Sequence, residues 1–195
     1  MKRRTFLHAG IAALPALPAM SIGTEARAHN AAGEVRPPLL APDIKVAPSS
    51  ATTTRLRDLL IGKATALQLM FTGCSSICPI QGALFAQVQA ALPRGDPSLQ
   101  LLSASIDPLA DDPKALTAWL ARFQAGPRWR AFSPAPTSLD AWLDFLAGRA
   151  VGPDKHTSQV YFFDRQARLV LRTVDFPQPA EVARLLVQLA AMPSK

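Results

Sequence analysis

The chain is poor in the residues on which many protein chemistries depend. Its 195 residues include two cysteines, three histidines and one tyrosine. Two cysteines do not make a disulfide scaffold. Cys74 and Cys78 would close so small a loop that a bond between them would restrict the unfolded chain little. Chemistry is the better reason for the pair. The scarcity of tyrosine, and the lack of any Lys/Arg-rich run after the first few residues, exclude a nucleic-acid platform of aromatic stacking and basic stripes. There is no Gly-rich phosphate loop, no His-Glu-x-x-His helix and no Gly-x-Ser-x-Gly elbow. No segment after the leader is long and apolar enough to span a bilayer, so the body is expected to be soluble.

What is present is aliphatic. The chain is 49% hydrophobic but only 7% aromatic, enough for one sizeable core built mainly from Leu, Val, Ile and Ala. The formal net charge is +7, and residues 1–28 hold +3 of it. The remaining surface is modestly basic and would steer acidic partners.

The first 28 residues read as an export signal. Lys2, Arg3 and Arg4 precede an Ala/Leu-rich stretch that ends at Ala26-Arg27-Ala28, a small-x-small cleavage pattern. Arg3-Arg4 followed by Phe6-Leu7 resembles a bacterial twin-arginine signal. Cleavage after Ala28 is expected, which leaves 29–195 as a single exported domain with a Pro-rich lead-in. An uncleaved leader would instead leave the domain attached to the membrane. Export to an oxidising compartment permits a disulfide.

Residues 29–54 carry Pro37, Pro38, Pro42 and Pro48 and read as a loose entry segment, with at most a short edge strand around Leu39-Leu40 and Ile44–Val46. A short helical turn follows at Arg55–Leu60. Ala64–Phe71 is a near-continuous apolar run bounded by turn residues, the pattern of a buried strand. From Pro79 to Leu92, apolar residues recur at fourth positions, the pattern of a helix with Pro in its first turn. Leu99–Ile106 is a second strand, and Asp112 caps a helix from Pro113 to about Phe123. Trp129 and Phe132 mark a further strand or loop, and Ser138–Leu146 another helix. Gln159–Phe163 and Leu169–Thr173 form two strands joined by a hairpin, and Pro179–Ala191 is the last helix. The alternation predicts an α/β fold, a central mixed sheet flanked by helices on both faces.

Cys74 and Cys78 therefore sit at a strand-to-helix junction. If a helix begins near Cys74, positions i and i+4 share a face and the sulfurs converge. Free N–H groups at a helix start favour thiolate over thiol, which primes disulfide exchange or capture of a soft metal such as Cu(I). His156 follows a Gly-Pro-Asp-Lys loop and precedes a strand; in that setting the residue alone reads as a surface histidine or a ligand. His29, at the proposed new N-terminus, reads as solvated, and Met70 as core. Asp111-Asp112 reads as a turn and helix cap. Asp107, before Pro108 at the end of a strand, reads as a turn residue near the edge of the sheet that carries the site.

Three separated motifs resemble the SCO/SenC family of thioredoxin-fold copper-binding proteins. Phe71-Thr-Gly-Cys74-Ser-Ser-Ile-Cys78-Pro79 is similar to its Cys-x-x-x-Cys-Pro loop. Ser105-Ile-Asp107-Pro108 with Asp112-Pro113 resembles its second-strand signature. Lys155-His156-Thr157 leading into Gln159–Asp164 resembles its histidine loop. The resemblance implies a thioredoxin-like fold, with Cys74, Cys78 and His156 as ligands for copper, Cu(I) and also Cu(II), and Asp107 beside the site. It implies a periplasmic chaperone that assists assembly of the binuclear copper centre of cytochrome c oxidase. The partner would be the copper-bearing subunit of that enzyme or another exported copper protein. The family also suggests an alternative, a thiol-disulfide oxidoreductase or redox sensor that uses Cys74 and Cys78 and is served by a thiol-disulfide reductant. Ser75-Ser76-Ile77 lacks the Asp often found between the family's cysteines.

Overall fold

A computed structural model describes residues 32–49, 52–150 and 155–193. The leader, His29 and the expected cleavage site lie outside the described residues, as do Gly152, Pro153 and Asp154.

The apolar runs become the middle of a sheet. In chain order the elements are β1 (Gly33–Leu40), β2 (Lys45–Pro48), β3 (Thr54–Arg55), α1 (Leu56–Leu60), β4 (Ala64–Met70), α2 (Ile77–Ala91), β5 (Leu99–Ser105) and α3 (Pro113–Arg122). Then come β6 (Trp129–Pro134), a 3-10 turn, α4 (Leu139–Leu146), β7 (Val160–Phe163), β8 (Arg168–Arg172) and α5 (Pro179–Ala191). One eight-stranded sheet runs β1-β8-β7-β4-β5-β6-β2-β3. Strands β4, β5 and β6 are parallel, and β7 joins β4 antiparallel. This mixed sheet is the expected α/β, thioredoxin-like arrangement.

Every residue of β4 and β5 is buried. Alternate side chains point to opposite faces of a strand, so each of these strands feeds two cores. Ala64, Ala66 and Met70 pack on one face with Phe85 and Val88 of α2, Leu116 and Trp119 of α3 and Val182 and Leu186 of α5. Leu67 and Leu69 pack on the other with Leu56 and Leu60 of α1 and Trp142 and Leu146 of α4. The helices therefore cover both faces, as the alternation predicts. Asp112 caps α3 as expected, its Oδ1 accepting from the Ala115 N–H at 2.7 Å.

The lead-in departs from expectation in extent. Edge strand is there as expected around Leu39-Leu40 and Ile44–Val46, but there is more of it and the described part is not loose: β1 extends the sheet at one edge by pairing with β8, and β2 extends it towards the other by pairing with β6. Pro37 and Pro38 are tolerated because β1 is an edge strand, and the pairing register shifts between Glu34 and Leu39 where they fall. Trp129 and Phe132 resolve to a strand, β6, parallel to β5.

Candidate functional site

Strand β4 ends at Met70, and the chain turns at once. The Cys74 N–H donates to Phe71 O at 3.2 Å, which folds the loop back on itself. Helix α2 then starts at Ile77, later than the i, i+4 argument needs. Cys78 is in its first turn, whereas Cys74 lies in the preceding loop. The sulfurs approach one another through this tight turn rather than through a shared helical face. The Cys78 N–H, one of the donors left unused by the helix start, donates to Cys74 Sγ at 3.3 Å. No disulfide joins the two.

His156 comes from the other side. It precedes β7, which pairs with β4, so the strand pairing carries it to the cysteine end of the sheet. Its Nε2 lies 3.7 Å from Cys78 Sγ. Its Nδ1 lies 2.8 Å from Thr157 O. A carbonyl oxygen only accepts, so Nδ1 carries a proton, and in the neutral ring the Nε2 lone pair is on the side of Cys78. Phe71 meets the imidazole edge-to-face, with ring centroids 6.3 Å apart. The next residue is fixed as well: the Thr157 N–H donates to Gly148 O at 2.9 Å, and Thr157 Oγ1 lies 2.6 Å from the Tyr161 hydroxyl. Tyr161 is fully buried, and burial pushes its phenol up to about 12, partly opposed by the Thr157 hydrogen bond and the charge on Arg172.

The site is buried and graded. Cys78 is 0% exposed and His156 2%, while Cys74 is 7% exposed and lies nearest solvent. Burial pushes the Cys74 thiol up, but hydrogen bonds from Cys78 and Ser76 outweigh it and leave the thiol more acidic than usual.

A carboxylate that reads from sequence only as part of a turn and helix cap supports this loop. Asp111 is 1% exposed, and its carboxylate accepts from the Thr72 N–H at 3.1 and 3.2 Å, from the Thr72 hydroxyl at 2.5 Å and from the Ser105 hydroxyl at 2.6 Å. It ties the residue two before Cys74 to the end of β5. Asp107, the expected neighbour of the site, bonds locally: its N–H donates to Ser105 Oγ at 2.9 Å and its Oδ1 accepts from the Ala110 N–H at 3.4 Å. The turn that Asp107 makes returns Asp111 to the sheet, since the Asp111 N–H donates to Asp107 O at 2.9 Å. Only the doubled Asp111-Asp112 hinted at this, one residue capping α3 and the other facing inward.

Among the described residues, no group of three or more His, Cys, Asp or Glu side chains is already gathered around a metal position. The contacts run in pairs, Cys74 to Cys78 and Cys78 to His156. The chemistry and spacing nonetheless suit a soft metal. Cys78 Sγ and His156 Nε2, 3.7 Å apart, are close enough that they would hold one soft ion between them.

A profile of the SCO1/SenC family matches residues 50–191, well over half of the chain. The SCO1 protein homolog of Bacillus subtilis is 32% identical over 91 residues, a stretch covering 47% of this chain and 40% of that protein. The chain thus spans well under two thirds of that relative's length. Among solved structures, Bradyrhizobium japonicum ScoI with copper bound is similar with a TM-score of 0.64 at 20% identity, over 77% of this chain and 99% of that one. Yeast Sco1 with copper bound is similar with a TM-score of 0.66 at 17% identity, over 80% of this chain and 91% of that one. At such identities these two structures speak to the fold, and they share it. With the cysteine loop, the histidine loop and the sheet between them all inside the matched span, the chain belongs to the SCO1/SenC family.

Proposed function

We propose that this protein is a copper chaperone that binds Cu(I) through Cys74, Cys78 and His156 and hands it to the binuclear copper centre of cytochrome c oxidase. The observation that carries this reading is the 3.7 Å approach of Cys78 Sγ and His156 Nε2, made by residues 78 apart in sequence. A purely structural cysteine pair has no need of a tautomer-fixed imidazole. The family membership and the copper-bound relatives point the same way.

The residues divide the work. Thiolates bind Cu(I) well because both are soft. Cys74, nearest solvent and more acidic than an ordinary thiol, is the entry and exit ligand. Cys78 and His156, deeper and held by backbone, retain the ion, with Cys74 turning in to complete the set. Transfer then proceeds by stepwise ligand exchange, a partner's sulfur or nitrogen replacing Cys74 first. Exposed Ile80 on α2, and exposed Leu109 in the turn leading to Asp111, offer apolar contact at this end of the sheet. The oxidase's copper-bearing subunit is the client. The site of action is the periplasmic side; no helix among the described residues is long and apolar enough to cross a membrane.

Anaerobic titration of the reduced protein tests the reading. One copper should bind per chain, and X-ray absorption should report both sulfur and nitrogen ligation. Sulfur-only ligation, or copper affinity unchanged by His156→Ala, would reject the three-ligand site.

One observation favours a second role. The acidified Cys74 thiol beside Cys78 is suited to attack a disulfide, with Cys78 as the resolving thiol and two electrons passing to the substrate disulfide. A disulfide-reduction assay on the copper-free protein distinguishes the two activities.

A further inference from the structure

The opposite end of the sheet is built for a different ligand. Strands β4, β5 and β6 run parallel toward the cysteines, so their starts lie at the far pole. There Lys63, Gln100, Arg128 and Arg130 line a pocket of about 310 Å³. Three cations from two segments meet in it, Lys63 before β4 and Arg128 with Arg130 at the start of β6. Each hydrogen-bonds to a neutral oxygen: Lys63 Nζ to Pro97 O at 2.7 Å, Arg128 Nη1 to Pro93 O at 2.7 Å and to Asp96 O at 3.4 Å, and Arg130 Nη2 to Gln100 Oε1 at 2.6 Å.

Arg130 is bracketed. Gln100 is 4% exposed, and its amide nitrogen is already committed to Leu59 O at 3.0 Å and Thr65 Oγ1 at 3.2 Å. Only its carbonyl is left to face the guanidinium, so the buried amide fixes where Arg130 points. Among the described residues, none of the ion pairs joins Lys63, Arg128 or Arg130 to a carboxylate. Asp96 is the nearby acid. Its Oδ1 accepts from the Ser98 N–H and hydroxyl at 2.8 and 2.7 Å, so it offsets part of the charge without pairing. Half-burial without a paired anion draws the Arg130 guanidinium below its usual pKa. The arrangement gathers three cations, none ion-paired to a carboxylate among the described residues, around one pocket.

We propose that Lys63, Arg128 and Arg130 bind a phosphate-type oxyanion, either free or carried on a lipid headgroup. An arginine fork matches phosphate oxygens two at a time, and lysine adds a point charge. A lipid phosphate bound here would seat the domain with its cysteine loop directed away from the bilayer surface. The proposal does not depend on the copper reading.

The test has two arms. In the first, inorganic phosphate is titrated into purified protein and followed by amide NMR. In the second, the protein is floated with vesicles of phosphatidylcholine, with and without phosphatidylglycerol. Saturable phosphate shifts confined to Lys63, Gln100 and Arg128–Arg130, weakened about tenfold by Arg130→Gln, are expected for loss of a charge-assisted contact. Vesicle binding that requires phosphatidylglycerol and is lost in the same variant assigns the lipid. Phosphate binding without flotation assigns a free phosphate compound. Lys63→Gln and Arg128→Gln carry the test if Arg130→Gln unfolds. The proposal is overturned if neither phosphate nor vesicles bind, or if binding is indifferent to all three substitutions.

Discussion

Cys78 Sγ and His156 Nε2 stand 3.7 Å apart at the end of β4, brought together by the pairing of β7 with β4. Copper captured between them should stabilise the native chain, because a ligand that binds only the folded state adds RT ln(1 + [L]/Kd). At free Cu(I) a hundredfold above Kd the gain is about 2.7 kcal/mol. His156→Ala, if it weakens binding tenfold, removes about 1.4 kcal/mol of that gain, beyond the lower copper-free melting point expected from truncating a buried, hydrogen-bonded ring. Anaerobic thermal melts of both proteins, with and without Cu(I), check this. Equal copper-induced shifts in the two would show that His156 is not a ligand.

The graded exposure of the pair predicts an order of reaction. Cys74, nearer solvent and acidified by its hydrogen bonds to Cys78 and Ser76, should react with iodoacetamide before Cys78. Its rate should rise through a midpoint below the ordinary thiol value of about 8.5. Ser76→Ala should move that midpoint upward, because it removes a donor that favours the thiolate. Mass spectrometry of peptides from timed quenches reads both the order and the midpoint. Preferential labelling of Cys78 would contradict the geometry.

Asp111 holds the cysteine loop to β5 through Thr72 and Ser105. Asp111→Ala leaves three donors without an acceptor beside a buried site. Each hydrogen bond to a charged group contributes about 1.5–3 kcal/mol, and the effects overlap, so a loss of about 3 kcal/mol is expected. Asp111→Asn keeps an acceptor oxygen and should cost less. Urea unfolding gives the stabilities, and copper competition on the folded fraction should show weaker binding in both variants. An Asp111→Ala protein as stable as wild type would remove Asp111 from this role.

The contrast between Asp111 and β4 explains what could be read in the sequence. Ala64–Met70 is legible because a strand buried on both faces must be apolar throughout, whatever its partners. The fourth-position pattern of α2 is legible for a similar reason. The inward turn of Asp111 is not, because its partner Thr72 is 39 residues away and its local sequence also suits a surface turn. The full extent of strand in the lead-in is not legible either, because prolines argue against a strand unless it is at an edge, and edge position is a property of the whole sheet. His156 shows the same limit: alone it is an ambiguous loop histidine, and only family resemblance pointed to it before the fold placed it on Cys78.

Gly82 lies one turn beyond Cys78 on α2, where a Cβ would meet the Phe123 ring at 2.3 Å. The ring is packed against Trp119 and Trp129, with centroids 4.9 and 6.3 Å away, and has little room to withdraw. Gly82→Ala therefore gains helix propensity but overpacks the contact, and the clash should prevail with a net loss of about 1–3 kcal/mol. Combining it with Phe123→Leu should recover part of that loss. Urea unfolding of the single and double variants decides it, and an additive double variant would show that the ring is not the obstacle.

Tyr161 gives the fold an alkaline limit. Burial raises its phenol to about 12 in the folded chain, against about 10 when unfolded. Below pH 10 both states keep the proton, and the full stability is present. Between pH 10 and 12 the unfolded chain releases its proton while the folded chain retains it, so stability falls as pH rises through this window. Two pH units correspond to a loss of about 2–3 kcal/mol. Tyr161→Phe removes the titrating group. It should therefore start less stable at neutral pH, having lost the hydroxyl that meets Thr157 Oγ1, yet decline less between pH 10 and 12. Urea unfolding of both proteins at pH 8, 10 and 11.5 compares the slopes. Since Thr157 follows His156, the same hydroxyl also steadies the histidine loop, and copper affinity of Tyr161→Phe should fall at neutral pH. Parallel alkaline slopes for the two proteins would assign the loss to other groups.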